Sequence, residues 1–374
     1  MKTPVVFVIL QTGARANGGL QSITEVMCRL REHRPIVLTN LESSFAKHWR
    51  KAGIDVTIVP EQASEGFRRK PLGTLRTYRR YQRALKRILA EAGAQVVHAN
   101  DPMAFQLSVA SAKAAGARIL LNLRDTLDPG RRPPRLKYRS LFAAADHLLF
   151  LSREMAESWA TVAPNARRSF SVTYSIVDPD RFTPSLPPAA EAPVVLVPGI
   201  FWPKKGQLEF IRRVVPALAE RGIESWFAGD FEPALNGYAA ECAAAAEPYA
   251  DRVAFLGFRN DLPDLYHRCS VVAVPSRHEG LMRGMVEAMS CGRPVVSFDV
   301  CSAREVLEDH SGPAGAVVEQ GDYAAMARAL VRFATDREEQ LAAGQAGSAV
   351  ARSLFDPAEV VERYERAYRE LGNR

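Results

Sequence analysis

The run Val271-Val-Ala-Val-Pro275-Ser-Arg-His-Glu279-Gly-Leu-Met-Arg283-Gly-Met-Val-Glu287-Ala-Met-Ser-Cys-Gly-Arg-Pro-Val-Val296 passes from four apolar residues through a polar loop into helical spacing, then into a second apolar run. Val271 to Val274 has the length of a strand buried on both faces, and a helix is predicted to open around Gly280. A strand, a short loop and a glycine-bearing helix start form the repeating unit of a parallel α/β sheet. The loop then lies at the carboxyl end of a strand, where open parallel sheets take their ligands. Glu279 and Glu287 sit eight positions apart around that helix start.

The same alternation extends in both directions. Strands are predicted near Val5, Ile36, Val56, Val96, Ile119, Leu148 and Val172, and again near Val194, Ser225, Val253, Val271, Val295 and Ala316, with helical patterns between most of them. Each series reads as a doubly wound, Rossmann-like sheet of the α/β class. The pattern breaks between Val177 and Pro193, where prolines interrupt the hydrophobic periodicity. This assigns 1–183 to an N-terminal domain and 184–355 to a C-terminal one. The remaining 356–374 forms an amphipathic helix with Val360, Val361, Tyr364, Ala367, Tyr368 and Leu371 on one side. That helix is expected to dock on the body of the protein, with a crossing back to the N-terminal domain open to it. Two facing doubly wound domains imply an active site in the cleft between them.

Composition agrees with two cores: the chain has 374 residues, of which 47% are hydrophobic. Val5 to Leu10 is too short for a membrane span and lacks the features of a cleaved leader. The five cysteines, Cys28, Cys242, Cys269, Cys291 and Cys301, are scattered without metal-type spacing, which favours free thiols in a reducing compartment, the cytoplasm by default. The net charge of +7 suits an anionic partner.

Several stretches, in order, resemble the retaining glycosyltransferases of the GT-B fold, in particular the family 4 group (glycosyl transferases group 1). Val195 to Gly206, with Gly199 after a strand and Lys205-Gly206 before a helix, is similar to the family's donor loop; Val253 to Pro275 and the paired glutamates follow in the family's order. Gly18-Gly19-Leu20 resembles its acceptor-side glycine loop, Val97-His98-Ala99-Asn100-Asp101 its strand-end histidine, and Val177 to Phe182 its interdomain hinge. The resemblance implies transfer of a hexosyl group from a nucleotide sugar to a saccharide or lipid-linked saccharide, as in cell-surface polysaccharide or lipopolysaccharide-type synthesis. It implies retained anomeric configuration, no cofactor beyond the nucleotide-sugar co-substrate, and no metal.

Such transfer must stabilise a departing diphosphate and an oxocarbenium-like centre. By resemblance, Lys205 faces the diphosphate, Glu279 the donor-sugar hydroxyls, Glu287 the ribose, and His98 a sugar hydroxyl or the acceptor. If eight helical residues separate the glutamates, they stand roughly 12 Å apart. Backbone amides of Gly280, Leu281, Met282 and Arg283 at the helix start are placed to meet an anion. The family's second diphosphate cation is replaced here by Ile200, and Arg283 or Lys204 is a candidate substitute. Acceptor-side candidates are Gly18, Gly19, Arg15, Asn17 and Asp125, the last beside Arg124 at another strand end. Two other readings stay open: a nucleotide-sugar-binding protein with lost catalysis, suggested by Ile200, and a non-transferase GT-B enzyme such as a sugar-nucleotide epimerase.

From Arg68 to Arg87 nine cations occur without an acidic residue. From about Thr74 the spacing predicts a helix with Leu75, Tyr78, Leu85, Ile88 and Leu89 on one face and Arg76, Arg79, Arg80, Arg83 and Arg87 on the other. A solvated surface helix is the simpler reading. Attachment to an anionic membrane surface at its inner face is the sharper one. Nucleic acid is not expected, because no binding module or interleaved aromatics accompany the charges.

Overall fold

A computed structural model of the chain describes residues 2–11, 18–60, 71–126, 135–167, 169–186, 193–308, 310 and 312–373, with backbone alone at 71–74. Arg15, Asn17, Arg68, Arg69 and Lys70 lie outside the described residues. The chain divides into two compact units, Met1–Ile176 with Pro357–Arg374, and Val177–Asp356.

The first unit runs β1 (Thr3–Ile9), α1 (Gly18–Arg29), β2 (His33–Thr39), α2 (Ser44–Lys51), β3 (Asp55–Ile58), α3 (Pro71–Ala92), β4 (Val96–Ala99), α4 (Pro102–Ala114), β5 (Arg118–Leu123), α5 (Arg135–Ala144), β6 (His147–Phe150), α6 (Arg153–Val162) and β7 (Phe170–Val172). Its seven parallel strands take the order β3-β2-β1-β4-β5-β6-β7. The second unit runs β8 (Val194–Pro198), α7 (Gln207–Arg213), α8 (Val215–Ala219), β9 (Glu224–Ala228), α9 (Gly237–Ala246), β10 (Val253–Gly257), α10 (Leu262–Arg268), β11 (Val271–Val274), α11 (Arg283–Ser290), β12 (Val295–Phe298), α12 (Ala303–Leu307), β13 (Gly315–Val318), α13 (Tyr323–Thr335) and α14 (Arg337–Leu354). Its six strands order as β10-β9-β8-β11-β12-β13, again all parallel. The predicted strands all form, because runs such as Val5 to Ile9 and Val271 to Val274 are wholly enclosed, which parallel sheets covered on both faces require.

The chain leaves the first unit at Ile176, ahead of the proline-rich stretch that marked the break in sequence. Residues 177–186 belong to the second unit because its backbone and side chains hold them. Val177 N donates to Phe355 O at 3.4 Å, Ser185 N to Cys291 O at 3.3 Å, and Arg181 Nη2 to Asn260 O at 2.8 Å.

The last helix, α15 (Pro357–Gly372), belongs to the first unit. Val360, Val361, Tyr364, Ala367, Tyr368 and Leu371 are all buried, as the periodicity requires. Glu365 clasps His33 Nδ1 and accepts from the amides of Arg31 at 2.7 Å and Glu32 at 3.0 Å. Arg369 reaches Glu32 at 2.7 Å and Glu362 at 2.6 Å. Burial opposes ionisation of Glu365, but the bonds from His33 and the two amides outweigh it and leave its pKa below the ordinary value.

His98 lies beneath this helix and not at an open sheet edge. Its ring is 0% exposed, stacks on Phe7 at 4.7 Å, and meets Tyr368 Oη at 2.9 Å and Asn122 Nδ2 at 3.3 Å. The expectation of a sugar-contacting His98 is corrected: α15 seals the ring in, and both ring nitrogens have protein partners. Burial, reinforced by the nearby Arg124 charge, pushes its pKa down to about 3. Between about 6.5 and about 3 the unfolded chain takes up a proton that folded His98 refuses, so stability is full above this window and drains as pH falls through it. The slope contributed is up to about 1.4 kcal/mol per pH unit. Melting temperatures measured from neutral pH down to mildly acidic pH should fall more steeply for the wild type than for His98→Gln. Parallel slopes would exclude His98 as the titrating group.

Candidate active site

The strand order of the second unit reverses direction between β8 and β11, and an open parallel sheet has its ligand crevice at such a switch point. Two loops leave the sheet there. One is Gly199 to Gly206 after β8; the other is Pro275 to Met282 after β11.

Close backbone packing shapes the first loop. A Cβ at Gly229 would stand 1.9 Å from Gly199 O, and one at Gly206 2.0 Å from Pro275 O. Only hydrogen fits at either place. Gly199 itself has φ 147° and Gly206 φ 76°, both favouring glycine. Gln207 Nε2 donates to Ile200 O at 2.8 Å, and Arg277 N donates to Lys204 O at 2.8 Å, tying the loops together. A short 3-10 turn, Pro203–Lys205, then aims Lys205 at the second loop.

Lys205 Nζ bonds Glu279 Oε1 at 2.6 Å, with the two side chains only 16% and 9% exposed. The two residues are 74 positions apart in sequence. A second pair lies four residues further along: Arg283 Nε bonds Glu287 Oε1 at 2.6 Å, while Tyr266 Oη donates to Glu287 Oε2 at 3.1 Å. Arg283 Nη1 is buried and, among the described residues, has no hydrogen-bond partner. The Tyr266 hydroxyl is held well above its ordinary pKa by burial and then by the Glu287 carboxylate, so it remains a donor.

The helix differs from its sequence expectation. It begins at Arg283, and Met282 is an N-cap without a side-chain bond. Gly280, Leu281 and Met282 therefore belong to the loop, and four helical positions, not eight, lead from the helix start to Glu287. The helical separation of roughly 12 Å does not apply, because Glu279 is outside the helix and each glutamate holds its own cation. Gly280 is fixed instead by Ser302, whose hydroxyl donates to Gly280 O at 2.6 Å from a left-handed turn with φ 74°. A non-glycine residue in that conformation is strained, and the hydrogen bond offsets part of the cost.

Gly199, Lys205, Gly280, Leu281, Met282, Arg283 and Glu287 are thus gathered with Glu279 at one rim. Ile200 is 53% exposed on the same loop, and Lys204 is half-buried. Gly18 and Gly19 open α1 in the first unit, and Asp125 is exposed just beyond β5. Tyr266, Ser302, Gly229 and Arg293 received no role from the sequence. The signal for Arg293 was present in Gly-Arg-Pro, but nothing local says that the guanidinium turns inward.

The family model described as Glycosyltransferase Family 4 matches residues 43–181, and the one described as Glycosyl transferases group 1 matches residues 192–336. The chain belongs to the group 1 glycosyltransferases. It is 35% identical over 100 residues to the lipopolysaccharide core biosynthesis mannosyltransferase LpsB of Rhizobium meliloti (strain 1021), covering 27% of this chain and 28% of that one. It is 29% identical over 238 residues to the 2-deoxystreptamine N-acetyl-D-glucosaminyltransferase of Streptomyces fradiae, covering 56% and 54%. The chain thus spans about half or less of the length of these curated relatives. The crystal structure of Anabaena HepE in complex with UDP-glucose superposes with a TM-score of 0.80 at 21% identity, over 98% of this chain and 99% of that chain. At that identity the likeness establishes the fold: two Rossmann-like domains of the GT-B type.

Proposed function

We propose that this group 1 glycosyltransferase moves a hexosyl group from a nucleoside-diphosphate sugar to a saccharide or lipid-linked saccharide, with retained anomeric configuration and without a metal. The observation that carries the reading is the enclosed Lys205–Glu279 pair at the switch point, four residues from Arg283–Glu287. A cation beside a departing diphosphate stabilises the charge that develops on it, and more so where water is excluded. The carboxylates retain lone pairs for hydroxyls: Glu279 for the donor sugar, Glu287 for the ribose. HepE, whose crystal structure contains UDP-glucose, supports a UDP-sugar as the first donor to try. LpsB supports an acceptor in cell-surface polysaccharide or lipopolysaccharide-type synthesis. The exposed cations of α3 support attachment to an anionic membrane surface.

Calorimetry with UDP, GDP and ADP, followed by transfer assays with the corresponding sugars, tests the reading. Binding of one nucleotide with transfer and an unchanged anomeric centre is the expected result. Binding without any turnover would favour a nucleotide-sugar-binding protein; sugar isomerisation without an acceptor would favour an epimerase.

Arg283 takes the place of the cation absent at Ile200. Its Nε orients Glu287, and its unpartnered Nη1 remains to donate to a phosphate or ribose oxygen. A hydrogen bond from a charged group contributes about 1.5–3 kcal/mol. Arg283→Ala should therefore weaken nucleoside-diphosphate binding by roughly tenfold to a hundredfold. Unchanged affinity and turnover would remove Arg283 from the site.

A further inference from the structure

The helix α3 carries Arg76, Arg79, Arg80, Arg83, Lys86 and Arg87 exposed, while Tyr81, Leu85, Ile88 and Leu89 are buried on its other side. Among the described residues, the one ion pair along this row joins Arg87 to Glu91 at 3.8 Å. Among the described residues the row is therefore almost uncompensated. Three of its members do more than face solvent. Arg80, Arg83 and Arg87, with Ala84, form one wall of a groove of about 320 Å³ whose other wall is Thr57 to Val59. That wall is the end of β3, which among the described residues is an edge strand of the seven-stranded sheet, with Val59 just beyond it. Arg80 Nη1 reaches Pro60 O at 3.4 Å, which holds its guanidinium over the groove.

We infer that this groove seats the phosphate group of an anionic lipid, docking the first unit on a membrane surface through one defined site and not through charge alone. Guanidinium forks match phosphate oxygens, and three of them from successive turns of one helix face converge on the groove. Leu75, 44% exposed near the start of the same helix, supplies an apolar side chain for the interfacial zone. A nucleic acid is disfavoured because Tyr78 is half-buried and Tyr81 buried, so the helix offers bases no stacking platform. The inference deepens the surface-attachment part of the proposed function and rests on it for the class of partner; it is independent of the sugar transfer.

The full chain is tested by co-sedimentation with phosphatidylcholine vesicles, alone or mixed with phosphatidylglycerol, at fixed ionic strength. Two variants carry equal charge losses: R80A/R83A/R87A empties the groove wall, and R76A/R79A/K86A removes cations outside it. Three cations near an anionic surface account for roughly a hundredfold in partitioning if they act as unlocalised charge. The groove variant is expected to lose at least about tenfold more than its control. Equal losses would overturn the groove while leaving surface attachment standing. Failure of the wild type to prefer anionic vesicles would overturn both. Inorganic phosphate binding without vesicle binding would make free phosphate the ligand and refute the lipid assignment. Thermal unfolding of the full chain should keep the wild-type transition of the first unit in both variants, which shows that they fold, and nucleoside-diphosphate affinity, assigned to the second unit, should be unchanged.

Discussion

Lys205→Ala is expected to lower turnover in the transfer reaction by roughly a hundredfold to a thousandfold, the loss associated with removing one preorganised donor to developing charge. The ammonium is held for that task before substrate arrives. Its stem rises from a turn locked by Gly206 against Pro275, and its Nζ rests on Glu279 at 2.6 Å in a site where neither partner is more than 16% exposed. The variant also takes the ammonium away from an enclosed carboxylate, so part of any loss is structural. The double variant Lys205→Ala with Glu279→Gln separates the effects. It should recover stability, because the charge at position 279 is removed together with its ammonium, but not turnover. Steady-state assays with saturating donor make the measurement. A single-variant turnover within threefold or so of wild type would rule out the assigned role, since transition-state stabilisation must appear in kcat.

Arg293→Met is expected to cost the second unit about 3–5 kcal/mol of stability, because several buried carbonyls lose their donor at about 1–3 kcal/mol for each one left unsatisfied. The guanidinium is 0% exposed and is held largely by carbonyl oxygens. Nε donates to Tyr266 O at 2.6 Å; Nη1 to Ser185 O at 2.8 Å, Cys291 O at 3.1 Å and Gly292 O at 3.2 Å; Nη2 to Ser185 Oγ at 2.8 Å, His267 O at 2.9 Å and Leu186 O at 3.4 Å. Two of these groups end α10 and two follow α11, where the helix dipoles present negative charge and the last carbonyls lack helical partners. Arg293 thus caps both helices that carry Tyr266 and Glu287, and fastens 185–186 to them. Burial presses its pKa below the usual guanidinium value, a sign that the cage stabilises the charge less completely than water does. Urea unfolding would report the loss, and Arg293→Lys should recover only a fraction because an ammonium cannot span the same acceptors. A loss below about 1 kcal/mol for methionine would mean that the carbonyls find other donors. Folded material should also bind nucleoside diphosphate more weakly, because Tyr266 positions Glu287.

Much of the fold was legible in the sequence. Val271 to Val274 followed by a loop and a helix specified a parallel α/β unit, and the same alternation repeated before and after the prolines. Burial on both faces imposes unbroken apolar runs, and amphipathic helices impose their own period, so each strand and helix leaves a local record. The α15 stripe from Val360 to Leu371 was read correctly for that reason. The candidate site was legible in its parts: Lys205 and Glu279 stood at strand-end loops, and Arg283 and Glu287 on the helix that follows the second loop. The pairing of Lys205 with Glu279 was not, because an ion pair across 74 positions leaves no periodic trace.

The sequence by itself determined the layers, the order of the elements and the loops that hold the charged residues, since each follows from which side of a short segment must avoid water. Tertiary structure alone decided the rest. It chose Glu279 as the partner of Lys205, turned Arg293 inward among carbonyls, started α11 at Arg283, and set the cations of α3 across a groove from Thr57 to Val59. It also enclosed His98 beneath Tyr368, 270 positions away. Whether a polar side chain meets a ligand or a neighbour depends on which distant segment covers it, and chain topology, not local pattern, settles that.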